Sequence, residues 1–417
     1  MALVVMKFGG SSVADANKMK LVANKIIAKK DAGNKIVAVV SAPGDTTDDL
    51  LQMAEQITPK PPARELDVLL STGEMVSIAL LSMAIDAKGY PVISLTGPQA
   101  GIFSDHQHGQ AKVEKIIPNA ILKLLNKNNI VIVAGFQGSN PSGDITTLGR
   151  GGSDLTAVAL AAALKADACE IYSDVEGIFT TDPRIVKQAR KLDFLSYDEM
   201  LEMACSGAQV LQSRSVEVAK KFGVVINARG TFSDNCGTII ASEKIIKKLS
   251  GRKKMETLLV SGITFDKNQI KFTIVDLPDT PGVAAKIFGD LAKVGVNVDM
   301  IIQSAAVDKK NDISFTVTKQ DVKKAQIVLD KIAKEFSATR VECDEQVAKV
   351  SVVGVGMRSH PGIAACAFEL LSKNGINIEM ISTSDIKISC IIDEIDTMKA
   401  VKALHAGFKL SKKNEIK

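Results

Sequence analysis

Histidine and cysteine, the side chains that most often carry general-base and nucleophilic chemistry, are scarce here and poorly placed for it. Of 417 residues only 4 are histidine and 6 are cysteine. His106 and His108 fall in a polar Gln/Gly loop, and His360 and His405 lie in a repeated C-terminal region, so all four read as structural or solvent-facing and none as a metal ligand. Cys169, Cys205, Cys236, Cys343, Cys366 and Cys390 are scattered, with no CxxC pair and no nearby histidine. Zinc sites and disulfide frameworks need closer, patterned spacing, so no metal site is expected and the thiols should be reduced, as in a cytoplasmic protein. No apolar run approaches the roughly 20 residues of a bilayer span. The opening 1–6 is too short for a signal peptide before Lys7 and a glycine turn. The net charge of +5 is spread over interspersed Lys and Glu. It lacks the basic run or aromatic interleaving of a nucleic-acid binder, so neither a nucleic-acid nor a membrane partner is expected.

The chain is too long for one ordinary core, and two or three domains are expected. Up to about residue 245, short β-branched runs alternate with helical patterns. Strands are expected at 3–6, 35–40, 91–95, 130–134, 169–172 and 224–228, and helices at 15–30, 73–88, 109–126, 155–165 and 207–222. Continuous apolar strands separated by helices predict an α/β, three-layer sandwich around a mostly parallel sheet. Ligands bind such sheets at the carboxyl ends of the strands, where the motif-rich turns 7–12, 41–47, 135–154 and 173–184 fall.

Residues 242–255 turn Lys-rich and polar, as a linker would. Beyond them Pro281-Gly282-Val283-Ala284-Ala285 through Gly295-Val296-Asn297-Val298-Asp299-Met300-Ile301 recurs about 80 residues later as Pro361-Gly362-Ile363-Ala364-Ala365 through Gly375-Ile376-Asn377-Ile378-Glu379-Met380-Ile381. Each copy is flanked by strands and a second helix, which predicts two ferredoxin-like βαββαβ modules. The expected domains are 1–245, 246–340 and 341–417.

The most informative stretch is Thr146-Thr147-Leu148-Gly149-Arg150-Gly151-Gly152-Ser153-Asp154, which runs through glycines into an apolar helix. Its backbone N–H groups suit an anion, Arg150 offers a planar fork to a carboxylate, and Asp154 adds an acid. Lys7-Phe8-Gly9-Gly10 can hold phosphate charge with a lysine and backbone N–H groups, although it is not a GxxxxGK[ST] loop. Ser41, Thr47 and Glu74 add hydroxyls and a carboxylate suited to a small zwitterion, whose ammonium wants Glu74 and whose carboxylate wants Arg150. Ser173-Asp174 through Phe179, Asp182 and Arg184 suits a nucleotide loop with Mg²⁺ nearby. On spacing alone these segments serve equally as a glycine-rich turn, N-caps and an Asx-turn before Pro183.

Taken together, KFGGSSV at 7–13, VSAPGDTTD at 40–48, STGE at 71–74, TTLGRGGSD at 146–154 and SDVEGIFTTDPR at 173–184 resemble the aspartate kinases of the amino acid kinase family, and the two repeats resemble their paired ACT domains. The resemblance implies phosphorylation of the β-carboxylate of L-aspartate by ATP with Mg²⁺. It places Lys7, Phe8, Gly9 and Gly10 on the ATP phosphates, with Lys7 and Asp154 as catalytic residues. Ser41, Thr47, Glu74, Arg150, Gly151, Gly152 and Ser153 would hold aspartate. Ser173, Asp174, Phe179, Asp182 and Arg184 would hold the nucleotide. A carboxylate nucleophile is already ionised and needs no general base, which agrees with the missing histidine and cysteine.

The resemblance further implies inhibition by threonine, lysine or both at ACT domains that pair between chains of a homo-oligomer. Asp279, Gly282, Asn297 and Gln303 match the effector-contacting side of the first ACT domain, and Asn377 that of the second. Two departures stand out. Where the family has a lysine and then His-Pro, this chain has Gln209, Gln212 and Ser213, which predicts weaker ATP binding. Ser304 and Ala306 replace larger or hydroxylated residues near the effector side. Two other readings remain open: an acyl-phosphate-forming kinase for glutamate, and a non-catalytic amino-acid-binding regulator.

Overall fold

The computed structural model describes residues 1–208, 210–250, 260–358, 360 and 362–411. They form two compact units that exchange short segments of chain. One comprises Met1–Ile178, Lys191–Ala204 and the described part of 209–255. The other comprises Phe179–Arg190, Cys205–Ala208 and the described residues from 260 onward.

The N-terminal unit opens with β1 (Leu3–Phe8), α1 (Ala16–Asp31), β2 (Lys35–Val40), α2 (Thr46–Ile57), α3 (Ala63–Asp86) and β3 (Val92–Leu95). Next come β4 (Ile102–Ser104), β5 (Val113–Ile116), α4 (Asn119–Asn126), β6 (Ile130–Ala134), β7 (Gln137–Ser139) and β8 (Ile145–Thr147). It ends with α5 (Gly152–Leu164), β9 (Ala168–Ser173), β10 (Phe194–Ser196), α6 (Tyr197–Cys205), α7 (Ser213–Phe222), β11 (Ile226–Gly230), β12 (Thr238–Ala241) and α8 (Glu243–Ser250).

Eight strands form one sheet in the order β10-β12-β11-β9-β1-β2-β6-β3, parallel from β11 to β3. All of β6 is buried, because helices cover both faces and leave no polar side. Val4, Met6 and Phe8 of β1 pack on α1 and α3, and the alternate residues turn toward α5. A second sheet, β5-β4-β7-β8, carries the chain into the Gly149–Gly152 turn. Asp15 caps α1 by accepting from Lys18 N, and Met19, Val22, Ala23, Ile26 and Ile27 form its buried stripe.

Several expectations are corrected. The helix expected at 73–88 starts ten residues earlier, because Ser71 and Thr72 are not caps: their hydroxyls donate back to the carbonyls of Val68 and Leu69 inside the helix. At 24 residues, α3 is also long and apolar enough, by length and composition alone, to cross a membrane, contrary to the expectation that no such run exists. It nevertheless buries Asp67 and Glu74 within this unit. The helix expected at 109–126 is instead β5 followed by α4, since Pro118 cannot sit inside a helix and β-branched Val113 and Ile116 pair with β4. The helix expected at 207–222 is shortened to α7. The expected linker 242–255 begins as α8, and its remainder from 251 lies outside the described residues.

The C-terminal unit contains β13 (Gly262–Pro278), α9 (Val283–Lys293), β14 (Val298–Gln303), β15 (Lys310–Val317), α10 (Val322–Glu335) and β16 (Arg340–Val353), then α11 (Ile363–Lys373), β17 (Met380–Ser384), β18 (Lys387–Asp393) and α12 (Thr397–Gly407). Its single antiparallel sheet runs β14-β15-β13-β16-β18-β17. The long strands β13 and β16 are shared: Gly262–Asp266 pair with Lys349–Val353, and Lys271–Val275 with Arg340–Asp344. The two repeats are thus interleaved rather than sequential. One core gathers Ile270, Phe272, Ile287, Phe315 and Leu329. The other gathers Ile263, Val352, Leu371, Ile388 and Leu404, with Val186 from the 179–190 segment. Thr180 ties that segment down: its carbonyl accepts from Ile263 N at 2.8 Å, and its Oγ1 lies 3.0 Å from His405 Nε2.

Candidate active site

The carboxyl ends of β1, β2, β6 and β9 lie side by side, and their turns adjoin. Gly9 N donates to Tyr172 O, Ser41 N to Phe8 O, Gly135 N to Val40 O and Gly44 N to Gly10 O. Phe8 itself is buried and stacked on Tyr172 at 4.9 Å, so its ring is core and only its backbone faces the turn.

Lys7 follows buried Met6 and leaves β1 on the opposite face, toward α5. Its Nζ is 2.7 Å from Asp154 Oδ1, with both side chains about one-tenth exposed. The contact has the length of an ion pair but not the angles of a hydrogen bond, since Asp154 Oδ1 takes none among the described residues. The ammonium is therefore paired with Asp154 by charge. Gly9 lies close by: a Cβ there would sit 3.5 Å from Lys7 Nζ. The pairing of an ammonium with this turn suits a phosphate.

Glu74 is 2% exposed and faces the Ser41 turn. Its Oε1 accepts from Ala42 N at 3.0 Å, while Oε2 is buried without a partner among the described residues. Burial pushes its carboxyl up to about 7, and the Ala42 hydrogen bond offsets only part of this. A buried carboxylate oxygen with no donor is costly unless a ligand supplies one, and an ammonium would. Gly73 makes the approach possible, because a Cβ there would stand 2.7 Å from Ala42 Cβ. Ser77 Oγ adds a bond to Ser41 O, and Thr47, the second residue of α2, is half-buried beside the same turn.

Gly151 caps α5 at φ 74°, a left-handed conformation that glycine adopts without strain. Ser153 and Asp154 are buried in the first turn, whereas Arg150 projects outward with a 94% exposed side chain, 3.9 Å from Asp48 Oδ1. Two residues missing from the expected site hold this turn. Gln212 Nε2 donates to Arg150 O at 2.8 Å, and Arg214 donates to Leu148 O and Ala111 O at 2.7 and 2.9 Å. Gln212 was visible only as a departure from the family pattern. Gln209 lies outside the described residues.

Ser173 and Asp174 follow β9 in the N-terminal unit, where Ser173 Oγ accepts from Val175 N. Phe179, Asp182 and Arg184 belong to the C-terminal unit. There Arg184 closes on Asp182, Nη2 to Oδ2 at 2.8 Å, and holds that carboxyl below its usual range. In the same unit Asp279 accepts from Asn311 Nδ2, Gly282 caps α9, and Asn297 and Asn377 are exposed just before edge strands β14 and β17. Gln303 ends β14, exposed. Ser304 is not idle, since its Oγ accepts from Asp312 N.

Residues 2–227 match the amino acid kinase family, and residues 274–332 and 350–408 match an ACT domain. An aspartokinase of Mycolicibacterium smegmatis is 50% identical over 418 aligned positions, covering 100% of this chain and 98% of that protein. The chain belongs to the aspartate kinases. Like other aspartate kinases it is an enzyme that uses ATP, and its fold follows theirs. The structure of E. coli aspartokinase III with aspartate and ADP in the R-state has a TM-score of 0.82 at 25% identity, over 97% of this chain and 99% of that one. The same enzyme with lysine and aspartate in the T-state gives 0.73 over the same shares.

Proposed function

We propose that this aspartate kinase transfers the γ-phosphoryl group of ATP to the β-carboxylate of L-aspartate, giving 4-phospho-L-aspartate for lysine, threonine and methionine biosynthesis. The observation that carries the reading is Glu74, whose buried, unpartnered Oε2 provides an ammonium site beside the turns that carry Lys7 and Arg150. The reading is supported by the E. coli enzyme, whose structures hold aspartate with ADP and with lysine.

In this scheme the substrate ammonium pairs with Glu74, its α-carboxylate meets Arg150 and the N–H groups of Gly151 and Gly152, and Ser41, Thr47 and Ser153 supply hydroxyls. Lys7 turns from Asp154 toward the transferred group and offsets its growing charge; no proton has to leave the nucleophile. Gly9 and Gly10 carry the phosphates, and Ser173 and Asp174 the rest of the nucleotide. Mg²⁺ comes with ATP. Such an ion keeps phosphate oxygens and water as its main ligands.

Threonine, lysine or both bind at Asp279, Gly282, Asn297 and Gln303, with Asn377 as the counterpart in the second repeat. The unpaired edges β14 and β17 support assembly with further copies of the chain. The six free cysteines suit the cytoplasm. The test is ATP-dependent acyl-phosphate formation from aspartate and from glutamate, trapped with hydroxylamine, with and without threonine and lysine. Turnover of aspartate that falls with an effector is expected. Preference for glutamate, or no turnover by folded protein with Mg²⁺ present, would overturn the reading.

A further inference from the structure

Asp67 is a buried acid for which neither Lys7 chemistry nor ammonium binding has a use. It lies on α3 seven residues before Glu74, hence on the same helix face, and is 1% exposed. Its carboxylate is saturated. Thr147 Oγ1 donates to Oδ1 at 2.5 Å, Gly109 N stands 3.1 Å from both oxygens, and His108 Nδ1 is 2.7 Å from Oδ2. A carboxylate only accepts, so His108 carries its proton on Nδ1.

These donors come from two separate segments that meet at the substrate turn. Thr147 closes β8 and leads directly into Leu148-Gly149-Arg150-Gly151-Gly152. Gly109 lies across from it: a Cβ on Gly149 would sit 3.4 Å from Gly109 O. One carboxylate therefore fastens both sides of the Arg150 turn to the helix that presents Glu74. Burying an acid against hydroxyl, amide and imidazole donors is a poor way to gain stability compared with apolar packing, but it fixes geometry in every direction at once. Two anchors that grip the ammonium and the carboxylate on one substrate carbon must stand at a fixed separation.

We propose that Asp67, acting through Thr147 and His108, is a positioning residue that sets the span between Glu74 and the Arg150 turn and so fixes the grip on the substrate's α-ammonium and α-carboxylate together. The proposal rests on the assignment of these two anchors to aspartate. Full-length Thr147→Val, Thr147→Ser and Asp67→Asn are compared with the unaltered chain for kcat, for KM of aspartate and of ATP, and for the aspartate-to-glutamate ratio of kcat/KM. Thr147→Val should raise the aspartate KM about tenfold, as expected for losing one hydrogen bond to a charged group, with the ATP KM changed less than about twofold. The aspartate-to-glutamate ratio should stay within about twofold, since both substrates carry the same α groups. Thr147→Ser, which keeps the hydroxyl, should restore the aspartate KM to within about threefold of the unaltered chain. Asp67→Asn should act in the same direction and further, and the Thr147 pair decides the matter if that variant does not fold. Equal rises in both KM values, an unchanged aspartate KM in Thr147→Val, or a changed substrate ratio would overturn the proposal while leaving the aspartate reading intact. Failure of the unaltered chain to turn over aspartate would remove that reading first, and the proposal with it.

Discussion

Shifting the pH through neutrality should switch the affinity for aspartate, because Glu74 titrates there. Its carboxyl is pushed from an ordinary 4.5 up to about 7 by burial. Below that value the empty site holds a proton, which a bound ammonium must displace. The apparent dissociation constant is then multiplied by one plus the ratio of protonated to ionised Glu74. That factor is about 11 at pH 6 and about 1.1 at pH 8, so affinity should improve about tenfold across the interval. The substrate's β-carboxyl, ordinarily near 3.9, stays ionised throughout. The same shift acts on folding with a definite sign. The folded-state value lies above the unfolded one, so the contribution to stability is full below about 4.5 and is lost as pH rises through about 7. An ionised, empty Glu74 costs about 3 kcal/mol, which an arriving ammonium relieves. Glu74→Gln keeps an acceptor for Ala42 N but removes the charge. Aspartate affinity at pH 8 should drop about 10- to 100-fold, and its dependence on pH between 6 and 8 should vanish. Calorimetric titration of aspartate without ATP reads binding apart from chemistry. A flat wild-type profile, or a slope that survives in Glu74→Gln, would refute the assignment.

Two other substitutions probe the neighbouring turns. Lys7→Met removes the cation paired with Asp154 while keeping the length of the side chain; kcat should fall at least about tenfold while aspartate affinity changes little, and near-normal turnover would take Lys7 out of the chemistry. Gly73→Ala sets a methyl 2.7 Å from Ala42 Cβ, so α3 or the Ser41 turn must shift. A loss of about 1–3 kcal/mol in thermal or denaturant stability, with weaker aspartate binding, is expected, and an unchanged melting curve and affinity would show that the close approach is not needed.

Six of the eight described strands of the large sheet were legible within one to two residues, because parallel strands covered on both faces read as unbroken apolar runs and their turns carry glycine; the short β10 and the antiparallel β12 at its edge were not. The repeats were legible as a period of about 80 residues. Elements that failed share a cause: a local pattern that tertiary contacts overrule. Ser71-Thr72-Gly73 has the composition of a helix start, yet the hydroxyls bond backward and the helix runs on through it. Residues 113–116 have no strong preference until β4 lies beside them. Interleaving of the two repeats was left open by the sequence, where a strand near 257–263 could belong to either, and the pairing of β13 with β16 decides it.

Within the site, the residues that touch ligands in the proposed scheme were recognisable by motif, whereas those that hold the motifs were not. Lys7, Glu74 and Asp154 sit in short strings whose composition is itself informative. Gln212 registered only as a mismatch, although it is bonded to the Arg150 carbonyl 62 positions away. Asp67 reads locally as one more acid near the start of a helix, where the macrodipole alone would explain it. Its meaning lies in donors 41, 42 and 80 positions further along, a convergence that no periodicity encodes. Chemistry that must meet a substrate is written in short motifs because each turn approaches the ligand on its own. The spacing between turns is set by buried polar contacts distant in sequence, and no single motif carries it.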